Sequence, residues 1–568
     1  MRPAPGLRAA MRTALVLGLG LSLGACASLP DTGFGTDEDR SVYGAYLAGR
    51  YAGAARELDA SAQFYAEALE RAPESGLISQ RAFFAALVAG DFDNADAAAE
   101  VAANDPETAQ IAELYWRVTR LGRGRTAPEI SNPAVGPFST LVSSVLTDWD
   151  TIARGDVPSW AQTDIQLETE TLIPAQQQMH RALVFDHMGR SEAAEEAYQQ
   201  AVSGVPGLRA FNTLMYGAFL ERQGRRDEAR TLYESALEQP SGERADVEAA
   251  LSRVMRGGRA PRLFTPRQAA ARALFPPASL ISNRASGEYT VLFLRVIQRL
   301  DSGFDYNTVT IAQLLDSLDL QHAALAEYMK IDDGPMLEQV VVSRIWLQFR
   351  MEQSEALVDE ARALVQDNPT LSRRLLLADM LRVTERCGEA IPIYADVSAR
   401  AEAERGQADW RFVFYHAACV EIAQDWDAAA PLFERALELA PNEPMLLNHL
   451  GYNLIVEGEQ IERGLEMVER AVSLEPSNGA IVDSLGWGHF KLGHLDDAIY
   501  WLERAVTLSP DSGTNNWHLG DAYAAAGRTL EAEFQWRRSL ELDLDDDERA
   551  LVERRLELGL DAGPADLP

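Results

Sequence analysis

The chain has 568 residues, 47% of them hydrophobic, and a formal net charge of -34 at pH 7. One hydrophobic core does not normally grow to this length, so the sequence describes several domains or an array that extends along one axis. So acidic a surface repels nucleic acid and anionic lipid head groups; acids spread over solvent-facing positions serve solubility first, and a cationic partner second.

At the amino terminus, Arg2, Arg8 and Arg12 precede the apolar stretch TALVLGLGLSLGA, which ends in Leu23-Gly24-Ala25-Cys26. A positive start, a short apolar run and small residues before a cleavage point predict an export signal over 1–25. The Leu-Gly-Ala-Cys ending resembles the lipobox of bacterial lipoproteins. That resemblance implies an acylated Cys26 as the first mature residue, a stable membrane anchor and a periplasm-facing protein. Ala27 stands where an aspartate often marks inner-membrane retention, so the outer membrane is expected. Residues 26–40, polar with Gly, Pro and Asp, read as a lipidated tether.

Small and aromatic residues then recur at fixed offsets. YGAYLAGRYA opens the series, and Gly49, Tyr65, Ala68 and Pro73 are followed one period later by Gly90 and Ala95. Pro and Gly between Gly122 and Gly136 predict a bend. The pattern resumes at Gly189, Ala194, Tyr198 and Ala201, and again at Gly217, Leu220, Gly224, Ala229, Tyr233 and Ala236. These residues define an amino-terminal array over 41–255. Four prolines between Arg256 and Gly287 predict an irregular linker over 256–287, whose basic residues are solvated or form a docking element. A carboxyl-terminal array over 288–547 starts faintly with Ile311, Ala312, Leu315, Ala324 and Tyr328, then Val342, Trp346 and Ala356, then Leu377, Ala378, Leu381, Ala390 and Tyr394. It strengthens through Trp410, Val420, Ala429, Phe433 and Ala436, and through Pro444, Leu447, Leu450 and Gly451. A capping helix and tail complete the chain over 548–568.

In the last units the period is 34 residues: Leu485, Gly486, Gly493, Ala498, Leu502 and Ala505 are answered by Leu519, Gly520, Gly527, Ala532, Trp536 and Ser539. This spacing resembles the tetratricopeptide (TPR) repeat, a helix–turn–helix unit that stacks into a solenoid. The expected fold is all-α, a right-handed TPR superhelix of about ten to twelve hairpins. Gly486 sits where the two helices of a unit approach closely, Gly493 ends the first helix, and Leu502 is the large knob between two small residues.

The product of a solenoid is a surface. In TPR stacks the first helix of each unit lines the concave groove, through positions that step by three or four residues. Carried onto this chain, the groove presents Arg411, Phe414 and Glu421, then Asn448 and Tyr452, then Asp483, Trp487 and Phe490, then Trp517, Asp521 and Ala524. Aromatic rings beside amides and acids suit an extended peptide or a partner helix. Trp487 and Trp517 fit the groove or the packing between helices equally well.

No catalytic motif stands out, and neither a cofactor nor a metal is expected. The eight histidines form no H-E-x-x-H spacing, and His489 and His494 read as helix-surface residues across a turn. Asp543, Asp545 and Asp547 alternate as in a calcium loop, yet Glu548 and Arg554 stand where glycine and glutamate belong, so the acids read as a match to a helix dipole. With Cys26 acylated, Cys387 and Cys419 remain. A bridge is open to them, but a turn position and a mid-helix position favour two separate thiols.

An acylated cysteine followed by a near-complete TPR array resembles a family of proteobacterial TPR lipoproteins. LNHLGYNLIVEG, IVDSLGWGHFKLGHLDDAIYWLERAV and HLGDAYAAAGRTLEAEFQWRRSLELD look like its last units. The resemblance implies a non-catalytic outer-membrane adaptor that binds and activates a periplasmic carboxyl-terminal processing protease and presents peptidoglycan hydrolases to it. The alternative is a structural subunit of a machine that assembles outer-membrane proteins or exports polysaccharide.

Overall fold

A computed structural model describes residues 41–562, apart from 104–108, 122–138, 163–173, 205–207, 238–244, 281–286, 406–407, 425 and 459. Cys26 and its tether, and the bend expected over 122–136, lie outside the described residues. The described residues form 29 α-helices, with one isolated bridge between Ser512 and Asp543 in place of any strand. The fold is all-α, as expected, built of helix–turn–helix hairpins and divided into two compact units, Leu29–Ser354 and Glu355–Pro568.

Local chemistry sets the hairpins. Ser41 accepts the Gly44 N–H at 3.0 Å, Asp91 accepts the Asn94 N–H at 3.1 Å, and Asp545 and Glu548 cap each other reciprocally. Between the helices of a unit the chain turns through one left-handed residue, glycine at Gly458, Gly493 and Gly527. Arg56, Asp319, Gln353 and Glu385 take the same positive φ without being glycine. Three of these turns lie in the hairpins where the repeat pattern is faint.

The packing rule inside a unit is a small residue facing a large one sixteen positions later. A Cβ on Gly486 would sit 2.6 Å from Leu502, one on Gly520 2.5 Å from Trp536, and one on Gly217 2.3 Å from the Tyr233 ring. Ala182 with Tyr198, Ala312 with Tyr328, Ala378 with Tyr394 and Ala417 with Phe433 keep the spacing, all buried. This pairing lets the two helices of a hairpin close on each other.

Two expectations are corrected. The segment 256–287 is not an open linker. Pro266–Leu280 is a helix whose Ala269, Ala270, Ala273, Leu274 and Phe275 are buried in the amino-terminal core. It packs against Ser139–Ala153 and Pro174–His187, and the following helix, Gly287–Leu300, packs against Gly76–Ala89 and Ala109–Arg120. Pro266 starts the helix, where its missing N–H costs nothing, and the run QAAARALF carries it on. Two of the basic residues of this segment are used internally, while Arg256, Arg259 and Arg262 are exposed. Arg267 donates to the carbonyls of Val118 at 2.9 Å and Arg299 at 2.7 Å, and Arg272 pairs with Asp301. The chain passes from one compact unit to the other at Ser354–Glu355.

The second correction concerns the cysteines. Cys387 and Cys419 form a disulfide with a Cα–Cα distance of 4.8 Å. Cys387 opens its helix instead of lying in the turn, and the helices Cys387–Arg405 and Trp410–Ala423 pack side by side. Closing a loop of 32 residues restricts the unfolded chain, so replacing both cysteines by alanine is expected to cost the carboxyl-terminal unit about 2–4 kcal/mol. Denaturant melts with and without reductant check this. Identical melts would show that the bridge adds nothing.

Candidate protein-binding surface

The first helices of the last four units are Trp410–Ala423, Pro444–Glu457, Gly479–Lys491 and Gly513–Ala525. Pro444–Glu457 touches Gly479–Lys491, which touches Gly513–Ala525, so their inner faces run into one surface. Much of what the sequence assigns to that surface is packed beneath it. Phe414 is fully buried, with its ring 5.6 Å from Phe433 and 5.3 Å from His449. Asp483, Trp487, Trp517 and Asp521 are buried as well.

These four form a seam between helices. Trp487 stacks on His518 at 3.9 Å and on Phe490 at 4.8 Å, and meets Trp517 edge-on at 5.2 Å. His518 Nδ1 and Asp483 Oδ2 are 2.7 Å apart. The Trp517 indole N–H donates to Glu548 at 3.1 Å. Asp521 accepts the Trp536 indole N–H at 3.0 Å and the Arg555 Nε–H at 3.2 Å. Burial pushes the Asp521 carboxyl up, opposed by Arg555. His518 Nε2 is buried without a hydrogen-bond partner, and the Asp483–His518 pair fastens the helices Gly479–Lys491 and Gly513–Ala525 together.

The sequence reading missed His518, Glu548 and Arg555. A signal for them exists: Asp483 with His518, Thr514 with Glu548 and Asp521 with Arg555 lie about one repeat apart and carry complementary groups. Similar acid–histidine contacts fasten Glu421 to His449 at 3.2 Å and Asp148 to His180 at 2.9 Å.

Above the seam lies the accessible lining. Arg411 is exposed, while Asn448, Tyr452 and Phe490 are half-buried. Asn448 Oδ1 is turned inward, buried and without a hydrogen-bond partner, so only the rest of this amide is open to solvent. Burial, with Asp483 and Glu548 nearby, pushes the Tyr452 hydroxyl well above its ordinary range, so it remains a donor at any working pH. Lys491, one of two lysines in the chain, holds its ammonium 4.9 Å from the Trp487 ring centre. A ring, an amide, a phenol and a cation side by side can take an extended backbone or an amphipathic helix.

In the amino-terminal unit, among the described residues, Gly76–Ala89, Ala109–Arg120 and Pro174–His187 are packed against later helices. Its own helices Pro266–Leu280 and Gly287–Leu300 cover them.

Residues 485–548 match the tetratricopeptide repeat family. Among solved structures, MamA (41 to end) from Desulfovibrio magneticus RS-1 aligns at 20% identity over 32% of this chain and 96% of its own, with a TM-score of 0.27. TTC0263, a thermophilic TPR protein of Thermus thermophilus, aligns at 22% identity over 33% of this chain and 100% of its own, with a TM-score of 0.29. No curated protein sequence matches the chain. A stack of TPR units with an accessible lining of this chemistry is a protein-interaction scaffold.

Proposed function

We propose that the chain is a lipid-anchored scaffold of the bacterial envelope that binds a periplasmic carboxyl-terminal processing protease and brings peptidoglycan hydrolases to it. The observation that carries this reading is the pairing of Leu23-Gly24-Ala25-Cys26 with a carboxyl-terminal array lined by Asn448, Tyr452, Phe490 and Lys491. Tethering protease and substrate to one anchored chain raises the concentration each sees of the other, so activation needs no catalytic group from the scaffold. The likeness of the last units to adaptor lipoproteins supports the partner class by analogy.

The test is capture of the full-length chain from detergent-solubilised cells, beside a variant carrying Asn448→Ala, Tyr452→Ala and Phe490→Ala. These positions keep part of their surface in solvent, so the variant is expected to fold and to lose most of the captured protease and hydrolases. Membrane-embedded assembly proteins in fixed ratio, with no protease, would replace the adaptor reading with that of a machine subunit.

A further inference from the structure

The turn of the unit Gly479–Leu508 gathers three metal-ligating side chains from two helices. His489 lies in the last turn of Gly479–Lys491, His494 is the residue before Leu495–Leu508, and Asp497 lies in that helix's first turn. One ring nitrogen from each histidine and a carboxylate oxygen of Asp497 all lie within 4.8 Å of one another. We propose that His489, His494 and Asp497 bind a divalent first-row transition ion of the zinc class, tying the two helices together across the turn.

Four observations support the assignment. The backbone beneath the three residues is fixed: Gly493 takes a φ of 75°, and the His494 N–H donates to the His489 carbonyl at 2.9 Å. His489 Nδ1 is buried and makes no hydrogen bond, so half of that imidazole is unused by the fold. His494 stands at the helix N-cap, yet its ring caps no backbone N–H. Glu469, on the helix Ile461–Leu474, lies close enough to act on the His489 ring electrostatically, and it adds negative charge where a cation would sit.

Two imidazoles and one carboxylate are the ligand types zinc takes, at about 2.0–2.2 Å, with a fourth position left for water or another ligand. Ligand atoms at such lengths stand roughly 3.3 Å apart in a tetrahedron. His494 and Asp497 are exposed and free to turn, so rotamer changes at these two can close the remaining gap without moving either helix. Oxygen-seeking magnesium or calcium would find one carboxylate and little else.

The experiment uses the full chain without a histidine tag, stripped with chelator and titrated with zinc chloride by calorimetry. A parallel titration with cobalt reads the visible absorption of the bound ion. One ion per chain in the micromolar range is expected, weakened about tenfold or more in both His494→Ala and Asp497→Asn. Both substitutions are at exposed positions, and far-ultraviolet circular dichroism verifies that the variants fold. Bound zinc is also expected to raise the melting temperature of the wild-type chain and not of the variants. Binding that is absent, or equally tight in both variants and so seated on other histidines, overturns the proposal.

Discussion

Arg295→Met is expected to destabilise the amino-terminal unit by about 3–5 kcal/mol, because it takes the one fully buried cation from the Glu327 carboxylate, leaving it Lys330 and Gln298, and unpairs the Val88 and Ala89 carbonyls at once. Arg295 is completely buried. Its guanidinium donates to the Val88 carbonyl at 3.0 Å, to Gln298 at 2.9 Å and to Glu327 at 2.5 Å, so it joins the end of Gly76–Ala89 to helices more than 200 residues later. Gly90 is fitted to it: a Cβ there would lie 2.8 Å from the guanidinium carbon. Hydrogen exchange at Gly76–Ala89 and Gly287–Leu300 should rise together in the variant, since these helices hold each other through this residue. Replacing both partners, Arg295→Met with Glu327→Met, should recover much of the loss, because an apolar pair leaves no charge behind. Burial alone would raise the Glu327 carboxyl, but Arg295 and Lys330 hold it below its ordinary 4.5. Its contribution is therefore complete above pH 4.5 and fades as the pH falls through the lower folded value, so acid should loosen this unit in that window. A single variant as stable as wild type would mean that the unit is closed by its apolar core alone.

How much of this was legible in the sequence follows from what each signal measures. The last units were readable because close approach demands Gly486 and Gly520 opposite Leu502 and Trp536, and few residues satisfy that contact. The units around Asp319, Gln353 and Glu385 were faint because their left-handed turns lack glycine, although Ala312 with Tyr328 and Ala378 with Tyr394 kept the spacing. Pro266–Leu280 carries the proline signal of a linker, yet Pro266 stands at the first position of a helix, where proline is accommodated. At the binding surface, periodicity chose the right helices and the wrong depth. It reports which face a residue takes, and a first helix inside a stack is covered by neighbours on more than one face. Trp487 and Trp517 thus satisfied the groove pattern while their rings were buried in the seam with His518. The disulfide was missed because a residue beside a turn can still sit on a helix flank, as Cys387 does.

Asp521→Ala is expected to cost the carboxyl-terminal unit about 3–5 kcal/mol, again by leaving a charge buried without its partner. Asp521 has no exposed surface, and Arg555, on the last helix Asp546–Leu558, is buried with it. Removing the carboxylate leaves Arg555 with the Leu560 carbonyl at 3.1 Å, and deprives the Trp536 indole of its acceptor. Asp521→Asn keeps an acceptor for one of the two donors and should lose less. This separates structure from recognition on a surface where sequence alone assigned both to the same residues. Phe490→Ala should weaken partner capture while moving the denaturation midpoint little, since its ring is half-buried at the edge of the stack. Asp521→Ala should do the reverse at low temperature: a lowered midpoint, faster hydrogen exchange across Asp546–Leu558, and capture retained while the unit stays folded. If capture is instead lost from a fully folded Asp521→Ala chain, the seam itself opens to the partner, and the binding surface includes the residues now assigned to packing.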